Sequence, residues 1–234
     1  MSNSRVLFSV SNALCKWLRL DLPRFPAEAG QQQGITPLIT DAETISWQCH
    51  VIFTGSWRER ATVIAVEAYS RFTLLLPFDI KPTQAQLEQR LCEYWAEEMV
   101  SLMIKYGDIS RDQAPRIFTR FHERTQQVEW VRNTDLSVNG HVNDAEQWVK
   151  GLLASQGLDA LDDDLALDLA WTINTLEKRA KQPNGKKRTF YPPALFVDDG
   201  MFRFVPEANV DSPYQTSTST PDNVVSLMDY KDKK

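Results

Sequence analysis

The sequence predicts an α+β fold: an antiparallel β-meander packed by a long amphipathic helix, with further helices and a β-hairpin towards the C-terminus. Three observations carry that reading. Residues 47–54, 61–68 and 71–78 are apolar runs rich in Val, Ile, Thr and Phe, which suit a pleated, packed surface. Short connections between them favour antiparallel neighbours over parallel crossovers. Directly afterwards, Leu87, Leu91, Trp95, Met99, Leu102 and Tyr106 recur every three or four residues, the spacing of one helical face.

The elements follow in chain order. Arg5 to Val10 reads as a strand, and Ser11 or Asn12 caps a brief helix that buries Leu14, Trp17 and Leu18. Residues 22–40 hold three prolines and three consecutive glutamines, so they are expected to form an extended loop inserted into the domain. In the first meander strand Trp47, Cys49, Val51 and Phe53 share one face, with Gln48 and His50 on a polar opposite face. The next two runs are apolar almost throughout, which predicts cover on both sides. The long helix starts at Pro82 and Thr83, with Gln86 at capping-box spacing, and ends at Gly107.

After Gly107 the pattern weakens until 127–132 (QVEWVR), a strand with Val128 and Trp130 on one face. Residues 136–144 read as a turn-rich motif loop, in which Asn143 caps a helix that ends at Gly157. Asp162, Asp163 and Asp164 open another helix, where acidic side chains meet the positive end of the dipole and Lys178, Arg179 and Lys181 complement its other end. Residues 194–197 and 201–205, joined through Asp198-Asp199-Gly200, read as a β-hairpin. One domain is expected over residues 1–206. Residues 207–234 are expected to be a disordered linker and tail, in which Val224, Leu227, Met228 and Tyr230 are shaped to dock on a partner.

Composition narrows the function classes. The chain has 234 residues, 42% of them hydrophobic and 24% charged, with a net charge of -5 that gives no global pull towards nucleic acid. Cys15, Cys49 and Cys92 lack metal-ligand spacing and read as small core residues of a reducing compartment. No run is long enough to span a membrane, and Lys16 and Arg19 break up any signal-peptide core, so a cytoplasmic protein is expected. No H-E-x-x-H, G-x-S-x-G, G-x-x-x-x-G-K-[ST] or G-x-G-x-x-G pattern occurs, and no cofactor or metal is expected. Among the histidines, His141 beside Asp144 is the best acid–base candidate.

Ser137-Val138-x-Gly140-x-x-Asn143-Asp144, together with the opening strand–helix and the tryptophan-led meander, resembles an uncharacterised bacterial domain family. Ile173-Asn174 and Pro192-Pro193 are similar to later parts of that family. The resemblance covers residues 5–204 and implies a fold more than an activity. Leu136 stands where the family has arginine, and Asn139 and His141 also depart from its pattern.

The leading functional expectation is a non-enzymatic bacterial interaction protein, in keeping with a mobile element or phage, acting on another protein or protein complex. The alternative is nucleic-acid contact through Lys178, Arg179, Lys181, Lys186, Lys187 and Arg188, six cations within eleven residues. A small enzyme using His141 and Asp144 ranks third.

Overall fold

A computed structural model describes residues 4–26, 33–54, 60–181, 187–208 and 210–214. Its centre is a mixed sheet of five strands: β1 (Arg5–Val10), β2 (Thr44–Phe53), β3 (Ala61–Glu67), β4 (Thr73–Phe78) and β5 (Gln127–Arg132), in the order β4-β3-β2-β1-β5. The meander β2-β3-β4 is antiparallel throughout, as the short connections require. Strand β1 then adds itself parallel to β2 on one side and to β5 on the other, setting Phe8 opposite both Trp47 and Trp130. The meander is therefore only part of a larger sheet.

Successive side chains of a strand face opposite ways, so each strand feeds two cores. Val6, Phe8, Trp47, Cys49, Val63 and Leu76 enter one, and Leu7, Ile52, Ile64, Val66 and Leu75 the other. Every residue of β3 is buried, which is the expected two-sided cover.

The first face carries α1 (Asn12–Leu18), α2 (Gln84–Tyr106), α3 (Ala114–Arg124) and α6 (Pro192–Phe204). Helix α2 begins with the Thr83–Gln86 capping box and ends at Gly107 in the left-handed conformation, both as expected. Its stripe is buried at Leu87, Leu91, Trp95, Met99 and Leu102, whereas Tyr106 is exposed. Trp95 meets Trp47, Phe121 and Phe204 with ring centroids 5.4, 4.7 and 6.5 Å away, and Phe72 stacks on Phe196 at 4.0 Å.

The second face carries α4 (Leu136–Gln156) and α5 (Asp163–Asn174) over smaller aliphatic side chains. Gln48 and His50 point towards this covered side rather than to solvent. Gln48 is fully buried, and His50 Nδ1 lies 2.8 Å from Ser11 Oγ.

The sequence reading of the C-terminal half needs three corrections. Residues 136–144 are not a loop but the opening turns of α4. Asp135, not Asn143, is its N-cap, accepting from Ser137 and Val138 amides at 2.6 and 3.0 Å. The expected hairpin over 194–205 is the single helix α6. Pro192 and Pro193 occupy its first turn, where missing amide hydrogens cost nothing, and Gly200 lies in its interior. A Cβ on Gly200 would fall 2.5 Å from Met103 Cε and 2.6 Å from Met99 Sδ, so this glycine admits a close approach to α2 rather than a turn. Finally, Lys178, Arg179 and Lys181 do not end a helix. Helix α5 stops at Asn174, and the hairpin is made by β6 (Lys178–Lys181) and β7 (Lys187–Phe190), with Lys178 opposite Phe190.

Arg203 is 1% exposed and closes the first face. Its guanidinium donates to Asp199 Oδ1 (2.7 Å), Ser4 Oγ (3.2 Å), the carbonyls of Ala42 (3.3 Å), Thr44 (3.4 Å) and Asp41, and the Tyr214 hydroxyl (2.7 Å). The Tyr214 hydroxyl donates in turn to Asp199. Tyr69 donates to the Pro213 carbonyl at 3.1 Å, so the chain is held through Tyr214, past the expected domain end at residue 206. Val224, Leu227, Met228 and Tyr230, the expected docking residues, lie outside the described residues.

Candidate functional site

Two buried polar arrangements fix where α4 and α5 sit, and between them they build a cleft. At the start of α4, Asp135 accepts from the Leu38 amide at 2.6 Å, and its own amide donates to Gln48 Oε1 at 2.9 Å. Gln48 accepts from Ser9 Oγ at 3.1 Å and donates to the Ser9 and Asn133 carbonyls, tying the ends of β1, β2 and β5 to the helix cap. At the end of α5, Asn174 is 1% exposed. It donates to the Thr73 carbonyl at 2.9 Å and accepts from the Thr73 amide at 2.8 Å. One amide side chain thus acts as a further strand beside edge strand β4. It also sets the point from which the chain turns into β6.

The cleft, of about 940 Å³, opens between α4, α5 and the start of β6. Helix α4 contributes His141, Asp144, Trp148, Gly151, Leu152 and Ser155, spaced as one face of a helix. Leu169 and Leu176 complete an apolar wall, and Lys178, Arg179, Glu177, His141 and Asp144 form a charged end. Trp148 and Leu176 are exposed at its margin, 44% and 40%.

The charged end has an unusual member. Lys178 is only 7% exposed, and its ammonium has no ion pair among the described residues. Burial lowers its pKa, against an opposing pull from Asp144. His141 Nδ1 is buried without a hydrogen-bond partner among the described residues. Burial, and then the positive charges of Arg71 and Lys178, lower the His141 pKa to about 4, so its ring is neutral at physiological pH.

Arg71 lies behind His141 in the β3–β4 connection, at φ 60°, a backbone region that costs a non-glycine residue about 1 kcal/mol. It is held there because Glu67 organises the turn, accepting from the Ser70 amide and hydroxyl at 2.6 and 2.7 Å and from Thr40 Oγ1 at 2.6 Å. The Arg71 guanidinium donates to the Ala68 carbonyl and to Ser137 Oγ, the latter at 3.1 Å, while its Nε finds no partner among the described residues.

The sequence candidates therefore converge in part. His141, Asp144, Lys178 and Arg179, assigned to two separate readings, line one cleft. Ser137 reaches it through Arg71, and Asn143 lies within 3.4 Å of Asn139 Nδ2 on an exposed stretch of α4. A Cβ on Gly140 would meet nothing within 4 Å. Lys186 lies outside the described residues; Lys181, Lys187 and Arg188 are placed in β6 and β7 by their backbones. Arg71, Gly151 and Asn174 escaped sequence reasoning as site-forming residues. The Ile173-Asn174 pair was the one signal that pointed near them.

The family model for a domain of unknown function, DUF6933, matches residues 18–193. The chain belongs to this family. The DUF6933 match spans Arg71, Ser137, His141, Asp144, Asn174 and Lys178, and so the whole cleft. It leaves out β1 and the Asp199–Arg203–Tyr214 cluster. No curated protein and no solved structure matches the chain. Among the described residues, no helix is long and apolar enough to cross a membrane.

Proposed function

We propose that this DUF6933 chain is a non-enzymatic, cytoplasmic interaction protein that recognises another protein or protein complex through the cleft between α4, α5 and β6. A bacterial mobile element or phage is the setting proposed for it. The observation that supports the reading is Lys178: a buried cation without an ion pair, at the end of an apolar cleft. Desolvating an ammonium that only the pull of Asp144 offsets is costly, and a partner that supplies a second negative charge recovers part of that cost on binding. The catalytic reading has less support. His141, neutral and with a pKa near 4, is poorly matched to proton transfer at neutral pH, and Ser137 Oγ is engaged by Arg71 rather than by His141. Nucleic-acid contact also has less support, because Asp144 and Glu177 line the cleft beside Lys178 and Arg179 and would repel a run of phosphates.

Capture from nuclease-treated bacterial lysate tests the proposal, using the wild-type chain, Gly151→Leu and a chain ending at Tyr214. A Cβ on Gly151 meets nothing within 4 Å, so leucine there fills the cleft without displacing the fold. A partner kept by the wild type and the shortened chain but lost by Gly151→Leu is the expected result. Retention by Gly151→Leu contradicts recognition in the cleft. Loss by the shortened chain alone returns recognition to the tail, and loss of every partner after nuclease treatment favours nucleic acid.

A further inference from the structure

The geometry points to a definite occupant for this cleft: the C-terminal carboxylate of a peptide whose last side chain is apolar. We propose that the terminal carboxylate sits at the Lys178 ammonium and His141, with the terminal side chain against Gly151, Leu152 and Leu169. The inference rests on the cleft being the recognition site and adds the chemistry of what enters it.

Three features select this ligand. The first is the number of charges. Lys178 and Arg179 line the charged end, but so do Asp144 and Glu177, with Arg71 behind His141 as the extra cation. That balance suits a single negative charge; a phosphate dianion would face two carboxylates with little surplus to hold it. The second is a pair of nitrogen groups at that end. The Lys178 ammonium has no ion pair, and His141 Nδ1 has no hydrogen-bond partner, among the described residues. A carboxylate has two oxygens, one to accept from the Lys178 ammonium and one to face the His141 ring. The third feature separates a peptide from a simple fatty acid. Beyond the charged end the lining holds acceptors, among them Gln147, Ser155 and Thr172, to which a peptide backbone can donate and an alkyl chain cannot. Among the described residues strand β6 is paired on one edge, by β7, which leaves backbone groups for an extended peptide to meet. Gly151 supplies the room, since beyond its chain neighbours and its own helix backbone no described atom lies within 4 Å of where its Cβ would be.

The test is a titration of the full chain followed by amide NMR. The probes are a hexapeptide ending in leucine with a free carboxylate, the same peptide amidated, the same peptide ending in lysine, and octanoate. The free-acid leucine peptide is expected to bind saturably and to shift the signals of His141, Trp148 and Gly151, with the amide and the lysine-ending peptide at least about tenfold weaker. Lys178→Met should weaken it by a similar factor, and Lys178→Arg should restore most of the binding. Gly151→Leu should abolish binding while raising Tm, since leucine favours a helix over glycine; this variant keeps the test decisive if Lys178→Met folds poorly. Equal binding of acid and amide, unchanged binding by Lys178→Met, octanoate binding as tightly as the peptide, or no saturable binding by any probe would each overturn the assignment. Peptide failure alongside partner loss in Gly151→Leu would overturn the carboxylate ligand and leave cleft recognition standing. Partner retention in Gly151→Leu would remove both.

Discussion

Two cations with little exposure, Arg203 and Lys178, lie on opposite faces of the central sheet and are met in different ways. Under α6, Arg203 at 1% exposure is met by Asp199, Tyr214, Ser4 and backbone carbonyls, so its donors are consumed within the fold. Across the sheet and among the described residues, Lys178 at 7% exposure has no ion pair and His141 has a buried nitrogen without a hydrogen-bond partner. The first face is built from large aromatic rings locked edge to face, the second from Val, Ala, Leu and Ile beside an open cleft. Satisfied charge accompanies dense packing and serves the structure. Lys178, by contrast, lines open space, with Asp144 pulling on its charge and no ion pair among the described residues.

The largest expected effect is on the satisfied face. Arg203→Met strands Asp199 as a buried carboxylate and should cost about 3–5 kcal/mol of unfolding free energy, measured by urea denaturation. A cost below about 1 kcal/mol would erase the contrast between the faces.

The next effect concerns His141 and depends on pH. Its folded pKa of about 4 lies below the ordinary 6.5, so between these values the unfolded chain binds a proton that the folded chain does not. Stability should therefore fall as pH drops from about 6.5 towards 4, by about 3 kcal/mol at most. His141→Gln should flatten that part of the curve. An identical pH profile for the variant would show that the ring is not held neutral by its surroundings.

The contrast between faces was only half legible in the sequence. The meander and α2 could be read because their signals are local: alternation along β2, the Thr83–Gln86 box, and a stripe repeated over six turns. The body of helix α4 and its end at Gly157 could be read, but its opening turns could not, because Asn139, Gly140 and Asn143 carry turn chemistry. The periodic Val138, Val142, Ala145, Val149 and Leu153 win once the second face of the sheet is there to bury them. Helix α6 was misread for a similar reason. Asp199 and Gly200 look like a turn until Arg203 and the α2 methionines supply their tertiary partners. Parallel pairing of β1 with β2 and β5 joins segments far apart in the chain and leaves no local signature. The cleft was legible only as two separate hints, His141 with Asp144 and the basic run from Lys178. Their meeting depends on how Asp135 and Asn174 anchor the two helices.

The smallest stability effect is the most telling. Lys178→Met keeps the length and apolar stem of the side chain and removes only the charge. Its unfolding free energy, measured beside Arg203→Met under the same conditions, should match the wild type or exceed it by about 1 kcal/mol, because no ion pair is lost and a desolvation cost is relieved. A loss of about 3 kcal/mol or more, equal to that of Arg203→Met, would show that Lys178 is a structural charge with a partner of its own, and would contradict the assignment of the cleft to recognition.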